Sequence, residues 1–358
     1  MRGIHDPLHS QEEEEDLPHL WQKPAFPVLL AALRKLRVEP TVWGLKVSNA
    51  DILKQQAAAA SHHERKDTNI FLSSIIKSSL SWLETDEERE EIWEETSRRM
   101  TERCGRTAMG EIVRRWPFSF ENGTDTFSLT IREPPLTGDS LGLKTWGSSY
   151  VLAQLLHEFA FASQAPLAHL ATKNEQREVL ELGSGTGLLG LTAACIWRTK
   201  VYLTDLPEIM GNLEHNASLN RALVEERGGK VETAPLMWGG SEEDVDPKFR
   251  SGKRYELIIV ADPLYDDDHP ALLAGAIDEQ LARNADARVL VMVPQRDEIT
   301  KGLLRTLRSQ LGQQANPLAC HQENIVAGED DWGDGNEDDT QRVGFWWGIF
   351  GRDQSINL

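Results

Sequence analysis

Two different spacings of apolar residues run through this chain. Between residues 25 and 115 they recur at helical intervals, as in Leu29, Leu30, Leu33 and Leu36, and again in Phe71, Ile75, Ile76, Leu80 and Leu83. Thr85 followed by Glu88 forms a capping box and predicts a further helix carrying Ile92 and Trp93. After Trp116 the pattern changes. Phe118 to Phe120 and Phe127 to Ile131 alternate apolar and polar positions around Asn122-Gly123, which predicts a hairpin or pair of short strands. Tyr150 to Phe161 reads as a helix.

From Glu178 onward strands and helices alternate. Strands are expected at 178–182, 200–204, 230–235, 255–261 and 287–293, and helices at 187–197, 208–223, 270–282 and 297–311. Such alternation predicts an α/β fold, a parallel sheet with helices on both faces. Residues 316–326 and 341–350 are strand-like with no helix after them, so the sheet should finish in an antiparallel pair. Three parts follow: a flexible acidic lead-in over 1–24, a helical N-terminal region over 25–115 and the α/β domain over 116–358.

Composition narrows the field. With 40% hydrophobic residues in 358, the chain can bury a full core plus an accessory element. No apolar run approaches the roughly 20 residues that span a bilayer. The first 20 residues are acidic, where a secretory signal is basic and then apolar, so a soluble, cytoplasmic protein is expected. Cys104, Cys195 and Cys320 are widely spaced and form no CxxC, which speaks against both a disulfide framework and a thiolate zinc site. The net charge of −19 weighs against a long grip on nucleic acid and toward a basic protein partner. Acidic runs at Glu12 to Asp16, Glu84 to Glu95 and Glu329 to Asp339 also fit plain solvated surface.

The chemistry concentrates at residues 179–190, Val-Leu-Glu-Leu-Gly-Ser-Gly-Thr-Gly-Leu-Leu-Gly, an apolar strand entering a glycine-dense turn and a helix. Three glycines in five residues cost roughly 0.5–1 kcal/mol each relative to alanine, more than a simple turn demands. Asp205 ends the next apolar run, about 20 residues on, where a carboxylate can grip ribose hydroxyls. Together they predict a nucleoside-bearing cofactor. A dinucleotide enzyme competes, because Gly185 to Gly190 satisfies GxGxxG alone. Against it stand Glu181 two residues before the first glycine, the extension to GxGxG, and too little chain after the sheet for a substrate domain.

Glu-Leu-Gly-Ser-Gly-Thr-Gly at 181–187 resembles the first motif of the seven-β-strand S-adenosylmethionine-dependent methyltransferases, and Asp205 resembles their acidic residue after the second strand. Thr145-Trp146-Gly147, Thr204 to Pro207, Asn212-Leu213 with Asn216, Leu236 to Gly239 and Ala261-Asp262-Pro263-Leu264-Tyr265 are similar to family 16, protein-lysine methyltransferases of non-histone proteins. A helical extension before the catalytic domain resembles the fungal elongation-factor lysine methyltransferases.

The resemblance implies a Rossmann-like seven-stranded sheet with a C-terminal antiparallel hairpin, S-adenosyl-L-methionine as cofactor, and a protein substrate such as a translation elongation factor. It implies that Trp146, Trp238 and Ala261 line the cofactor site, with Trp238 near the adenine, and that Asp262 and Tyr265 face the substrate lysine. The bare backbone of Gly183, Ser184 and Gly185 would meet the amino acid end of the cofactor. Asp205 would accept both ribose hydroxyls, with a helix cap before Pro207 as the alternative, and both can hold at once; Glu181 would orient the turn, hold an ammonium through water, or be a buried carboxylate satisfied by backbone.

A lysine of ordinary pKa, about 10.4, is protonated at neutral pH, so Asp262 is expected to align the amine and the ring of Tyr265 to shed water. Two further readings stay open. Asp-Pro-Leu-Tyr lies one substitution from the Asp-Pro-Pro-Tyr of adenine-N6 and glutamine-amide methyltransferases, and the chain could be a non-catalytic adaptor on the same fold.

Overall fold

The computed structural model describes residues 17–37, 62–101, 111–120, 123–135, 141–171, 178–240, 246–250, 254–330 and 341–352. Glu12 to Asp16, Cys104, Asn122 and most of the 329–339 acidic run lie outside them. The chain divides into two compact units, one helical and one built on a sheet.

In the helical unit, α1 (Phe26–Lys35), α2 (His62–Lys77) and α3 (Asp86–Thr101) bury Leu29, Leu33, Phe71, Leu72, Ile75, Leu80, Leu83 and Ile92. The capping box forms at the start of α3. Thr85 Oγ1 accepts from Glu88 N at 3.1 Å, and the Glu88 carboxylate reaches one residue further back, accepting from Glu84 N at 3.0 Å. The end of the lead-in has a defined place: Leu17 and Leu20 pack against this core, and Trp82 Nε1 donates to the Pro24 carbonyl at 2.9 Å.

The second unit opens with the hairpin β1 (Ile112–Phe120) and β2 (Asp125–Glu133). β1 starts before residue 116, so the expected boundary between helical and sheet regions cuts through a strand. Arg114 hid the alternation: it occupies an inward position, where it is buried beside Glu133 with 3.8 Å between the charged groups. A buried charge reads as a polar, outward residue in a hydropathy pattern.

After α4 (Gly147–Phe161) and the short α5 (Ala168–Ala171) come β3 (Glu178–Leu182), α6 (Leu188–Trp197), β4 (Lys200–Asp205), α7 (Pro207–Glu226), β5 (Lys230–Pro235), α8 (Pro247–Arg250), β6 (Leu257–Ala261), α9 (His269–Gln280), β7 (Arg288–Pro294), α10 (Glu298–Gln313), β8 (Ala319–Asp330) and β9 (Gln341–Gly351). The seven-stranded sheet has the order β5-β4-β3-β6-β7-β9-β8. The five strands from β3 to β7 are parallel, and β9 inserts antiparallel between β7 and β8. The expected α/β sheet with its terminal antiparallel pair is present.

Two apolar layers cover the sheet. Along β6, Leu257, Ile259 and Ala261 face the layer that holds α4, α6 and α7, while Ile258 and Val260 face the layer of α9 and α10. A polar ladder ties the hairpin to this body. Asn216 and Asn220 on α7 each pair with the β2 backbone in both directions: Asn216 Oδ1 accepts from Arg132 N at 2.8 Å and its Nδ2 donates to Arg132 O at 3.0 Å, and Asn220 does the same to Thr130 at 2.9 and 2.8 Å. Four residues apart, these amides lie on one face of the helix and satisfy the edge of β2 turned away from β1.

Candidate active site

The sheet order reverses at β3, whose neighbours are β4 and β6, so the following connections leave in opposite directions and open a crevice at the carboxyl ends of these strands. The glycine turn after β3 sits there. Gly183 and Gly185 have φ of 68° and 56°, a left-handed backbone that side chains resist. A Cβ on Gly183 would come to 3.3 Å from the Trp238 ring, and one on Gly185 to 3.2 Å from the Gly142 carbonyl. The turn is a bare-backbone cradle with an indole beside it.

Hydrogen bonds hold the cradle to β4. Ser184 N donates to Thr204 O at 2.9 Å, Thr204 N donates to Ser184 Oγ at 3.0 Å, and Thr204 Oγ1 donates to Glu181 O at 2.6 Å. Asn216 Nδ2 also donates to Thr186 O at 3.0 Å, so the ladder that seats β2 steadies the turn as well. Thr145 Oγ1 lies 2.8 Å from Thr186 Oγ1.

Asp205 Oδ2 accepts from Gly185 N at 2.7 Å and Oδ1 from Leu206 N at 2.8 Å. The helix-cap alternative is not what forms: Leu206 occupies the N-cap of α7, with no side-chain cap, and Pro207 opens the helix. Each carboxylate oxygen keeps acceptor capacity beyond these two bonds. Burial pushes the Asp205 pKa up to about 6 against the pull of the two N–H donors, and Glu208 adds a smaller upward push.

Glu181 lies beneath the turn, buried. Burial drives its pKa up to about 8, partly offset by a hydrogen bond from Ser184, with Asp205 adding repulsion. Its Oε2 has no hydrogen-bond partner among the described residues, and a Cβ on Gly190 of α6 would overlap that oxygen and Leu203 Cδ2.

On the other side of the switch point, Ala261 is buried at the end of β6. Asp262 follows with φ 56°, a left-handed conformation that Asp tolerates better than most side chains. Both oxygens of its carboxylate are held by Arg296, with Nη1 to Oδ1 3.1 Å and Nη2 to Oδ2 2.6 Å. The guanidinium also lies 5.5 Å from the centre of the Trp146 ring, whose Nε1 donates to Leu141 O at 3.0 Å. Leu264 is core, while Tyr265 is 56% exposed. The Tyr265 ring stands perpendicular to His269 at 4.2 Å, and His269 packs edge-on to Trp238 at 6.1 Å, so three rings link the cradle to the mouth. His269 Nδ1 is 3.0 Å from the Pro263 carbonyl, which requires that nitrogen to carry the proton. Partial desolvation of its hydroxyl raises the Tyr265 pKa, and so do Asp205, Asp262, Asp266 and Glu208. The mouth is therefore both aromatic and acidic.

Arg296 and His269 were not singled out from the sequence. A usable signal existed for Arg296: the rule that ligands gather at the carboxyl ends of strands, applied to Asp262 after β6, applies equally two residues past the end of β7.

Sheet order, glycine turn and strand-end carboxylate define the Rossmann-like seven-stranded methyltransferase class. The lysine methyltransferase family model matches residues 124–310, and the chain belongs to that family. Protein-lysine N-methyltransferase EFM2 of Saccharomyces cerevisiae is 32% identical over 273 residues, 74% of this chain and 62% of that protein. Protein-lysine N-methyltransferase rrg1 of Schizosaccharomyces pombe is 29% identical over 285 residues, 80% of this chain and 83% of that protein. The chain thus spans about three fifths of the length of EFM2 and most of rrg1. A solved SAM-dependent methyltransferase from Agrobacterium tumefaciens is similar with a TM-score of 0.40 and 16% identity, covering 67% of this chain and 70% of that one.

Proposed function

We propose that this chain transfers a methyl group from S-adenosyl-L-methionine to the side-chain amine of a lysine in a folded, basic protein, with a translation elongation factor in the cytoplasm as the target. The observation that carries the reading is the pairing of a bare-backbone cradle at Gly183 to Gly185, closed by the Asp205 carboxylate, with an acidic, aromatic mouth at Asp262 and Tyr265.

The residues fit the cofactor. Asp205 has spare acceptor capacity for ribose hydroxyls, the cradle leaves room where any Cβ would intrude, and Trp238 offers an apolar face beside Gly183 for the adenine. The family resemblance assigns Trp146, just before α4, and Ala261, at the end of β6, to the walls of the same crevice. Glu181 acts from beneath as the support of the turn, since it is buried and hydrogen-bonded to Ser184. When bound, S-adenosylmethionine supplies a methyl carbon on a sulfonium, which an amine lone pair takes while the carbon–sulfur electron pair stays on sulfur.

The protein's part is alignment and removal of water. Asp205, Glu208 and Asp266 draw a lysine cation to the mouth, Tyr265 walls the channel, and Asp262, fixed by Arg296, orients the nitrogen. The helical unit assists in choosing the target. Its support is the resemblance to the fungal elongation-factor enzymes and the net charge of −19, which favours a basic partner.

Incubating the full chain with labelled cofactor and a cell lysate, with nuclease or protease added afterwards, tests the class of substrate. Label lost to protease and retained after nuclease is expected; the reverse result rules out a protein target. Mass spectrometry of the elongation factors in the same lysate then tests the target, which fails if no lysine gains a methyl mass.

A further inference from the structure

Asp262 at the mouth comes with a built-in counter-charge. β6 and β7 run parallel with Ala261 opposite Met292, so Asp262 and Arg296 emerge from the same edge of the sheet. Asp262 is turned by its left-handed backbone and anchored by its N–H to the Met292 carbonyl at 2.9 Å. Both side chains are nearly buried, Arg296 at 11% and Asp262 at 6% exposure, and they meet in the parallel two-bond geometry that a guanidinium makes with a carboxylate.

Other charges surround the pair. Asp205 at the end of β4, Glu208 in the first turn of α7 and Asp266 also bear on Tyr265. His269 of α9 packs on Tyr265, and Lys144 lies 4.5 Å from the centre of the Trp146 ring that Arg296 also faces. Asp297, next to Arg296, caps α10 by accepting from Thr300 N at 2.7 Å.

We propose that Arg296 is a positioning residue for methyl transfer: it compensates the charge of Asp262 and fixes its carboxylate plane, so that the amine beside Tyr265 is taken in its neutral form. The proposal rests on the placement of the acceptor amine at Asp262 and Tyr265 given above. The physical need is clear. At pH 7.5 a lysine of pKa about 10.4 is neutral about one time in a thousand, and an uncompensated carboxylate against it lowers that fraction tenfold for every unit it adds to the pKa. Asp205, Glu208 and Asp266 attract the cation, while beside the Tyr265 ring a neutralised carboxylate keeps orienting power without holding the proton. Arginine suits this place because it stays charged throughout the range in which the reaction runs.

The test measures kcat and KM from pH 6.5 to 10 with the full-length chain, labelled S-adenosylmethionine, and the protein fraction that the wild-type chain labels in nuclease-treated lysate. For Arg296→Gln, kcat at pH 7.5 should fall about tenfold, the KM for acceptor should not rise, and the acid limb of the profile should move up by about one pH unit. Arg296→Lys should hold the limb near its wild-type position. The double variant Asp262→Asn with Arg296→Gln should bring it back, because the unbalanced charge is gone. Cofactor affinity by calorimetry, unchanged in each variant, reports that the fold is intact.

An unmoved limb in Arg296→Gln, with transfer slowed in Asp262→Asn, overturns the inference and leaves the proposed site standing. Indifference of kcat, KM and limb to both single substitutions overturns the placement of the acceptor as well.

Discussion

On the proposed placement of the ribose at Asp205, lowering the pH from 8 to 5 should weaken cofactor binding about tenfold. Burial lifts this carboxyl to about pH 6, even though Gly185 N and Leu206 N donate to it at 2.7 and 2.8 Å. At pH 8 nearly every molecule presents two anionic acceptors to the ribose; at pH 5 about one in ten does, which sets the expected loss. Glu181 titrates higher, at about 8, so the interval between pH 5 and 7 isolates Asp205. Calorimetry of S-adenosylmethionine binding at pH 5, 6 and 7 measures the step, and Asp205→Asn should bind more weakly at every pH with no step.

Stability must be kept apart from binding. The folded-state pKa of Asp205 is raised above its ordinary value of 3.8, so the native state holds the proton more tightly, and stability falls as pH rises from about 4 to 6. At neutral pH the buried charge costs up to about 3 kcal/mol. Asn removes that cost but turns an amide NH2 toward one of the two backbone donors, a loss of about 1–3 kcal/mol. The two effects offset, and the thermal midpoint at pH 7.5 should change little while affinity drops. Wild-type affinity that is flat from pH 5 to 7, or a step that persists in Asp205→Asn, would refute the reasoning.

Three other outcomes are expected. Glu181, with its pKa raised to about 8, makes the wild-type chain lose stability as pH rises from about 4.5 to 8, on the order of a few kcal/mol; urea unfolding at pH 5.5 and 8.5 should show this slope, and Glu181→Gln should flatten it. Asn216→Ala strips partners from the Arg132 backbone and the Thr186 carbonyl, which should cost about 2–4 kcal/mol in denaturant and also weaken cofactor binding, since the same amide steadies the turn. Gly190→Ala drives a methyl group into Glu181 and Leu203 and should cost about 1–3 kcal/mol by the same measurement, with an unchanged denaturation midpoint counting against the packing described.

Much of this protein was legible in the order of its residues. β3 and β5 lie where apolar period and flanking residues place them, the cap at Thr85 forms, Pro207 opens its helix, and the terminal antiparallel pair follows the last crossover. These features depend on local rules: side-chain period, the steric limits of proline and glycine, and hydrogen bonds across a few residues. The glycine turn and Asp205 belong to the same group, because the signal needs only one strand, one turn and the end of the next strand. Tertiary structure decided the rest. Arg114 becomes an inward residue of β1 because the pairing of β1 with β2 brings Glu133, opposite Ile112, diagonally beside it, and Asn220 gains its partner only where α7 lies along β2. Arg296 meets Asp262 because β7 pairs with β6. An ion pair between residues 34 positions apart depends on which strands become neighbours and on the low dielectric their packing creates, and neither is a property of any stretch of chain read alone.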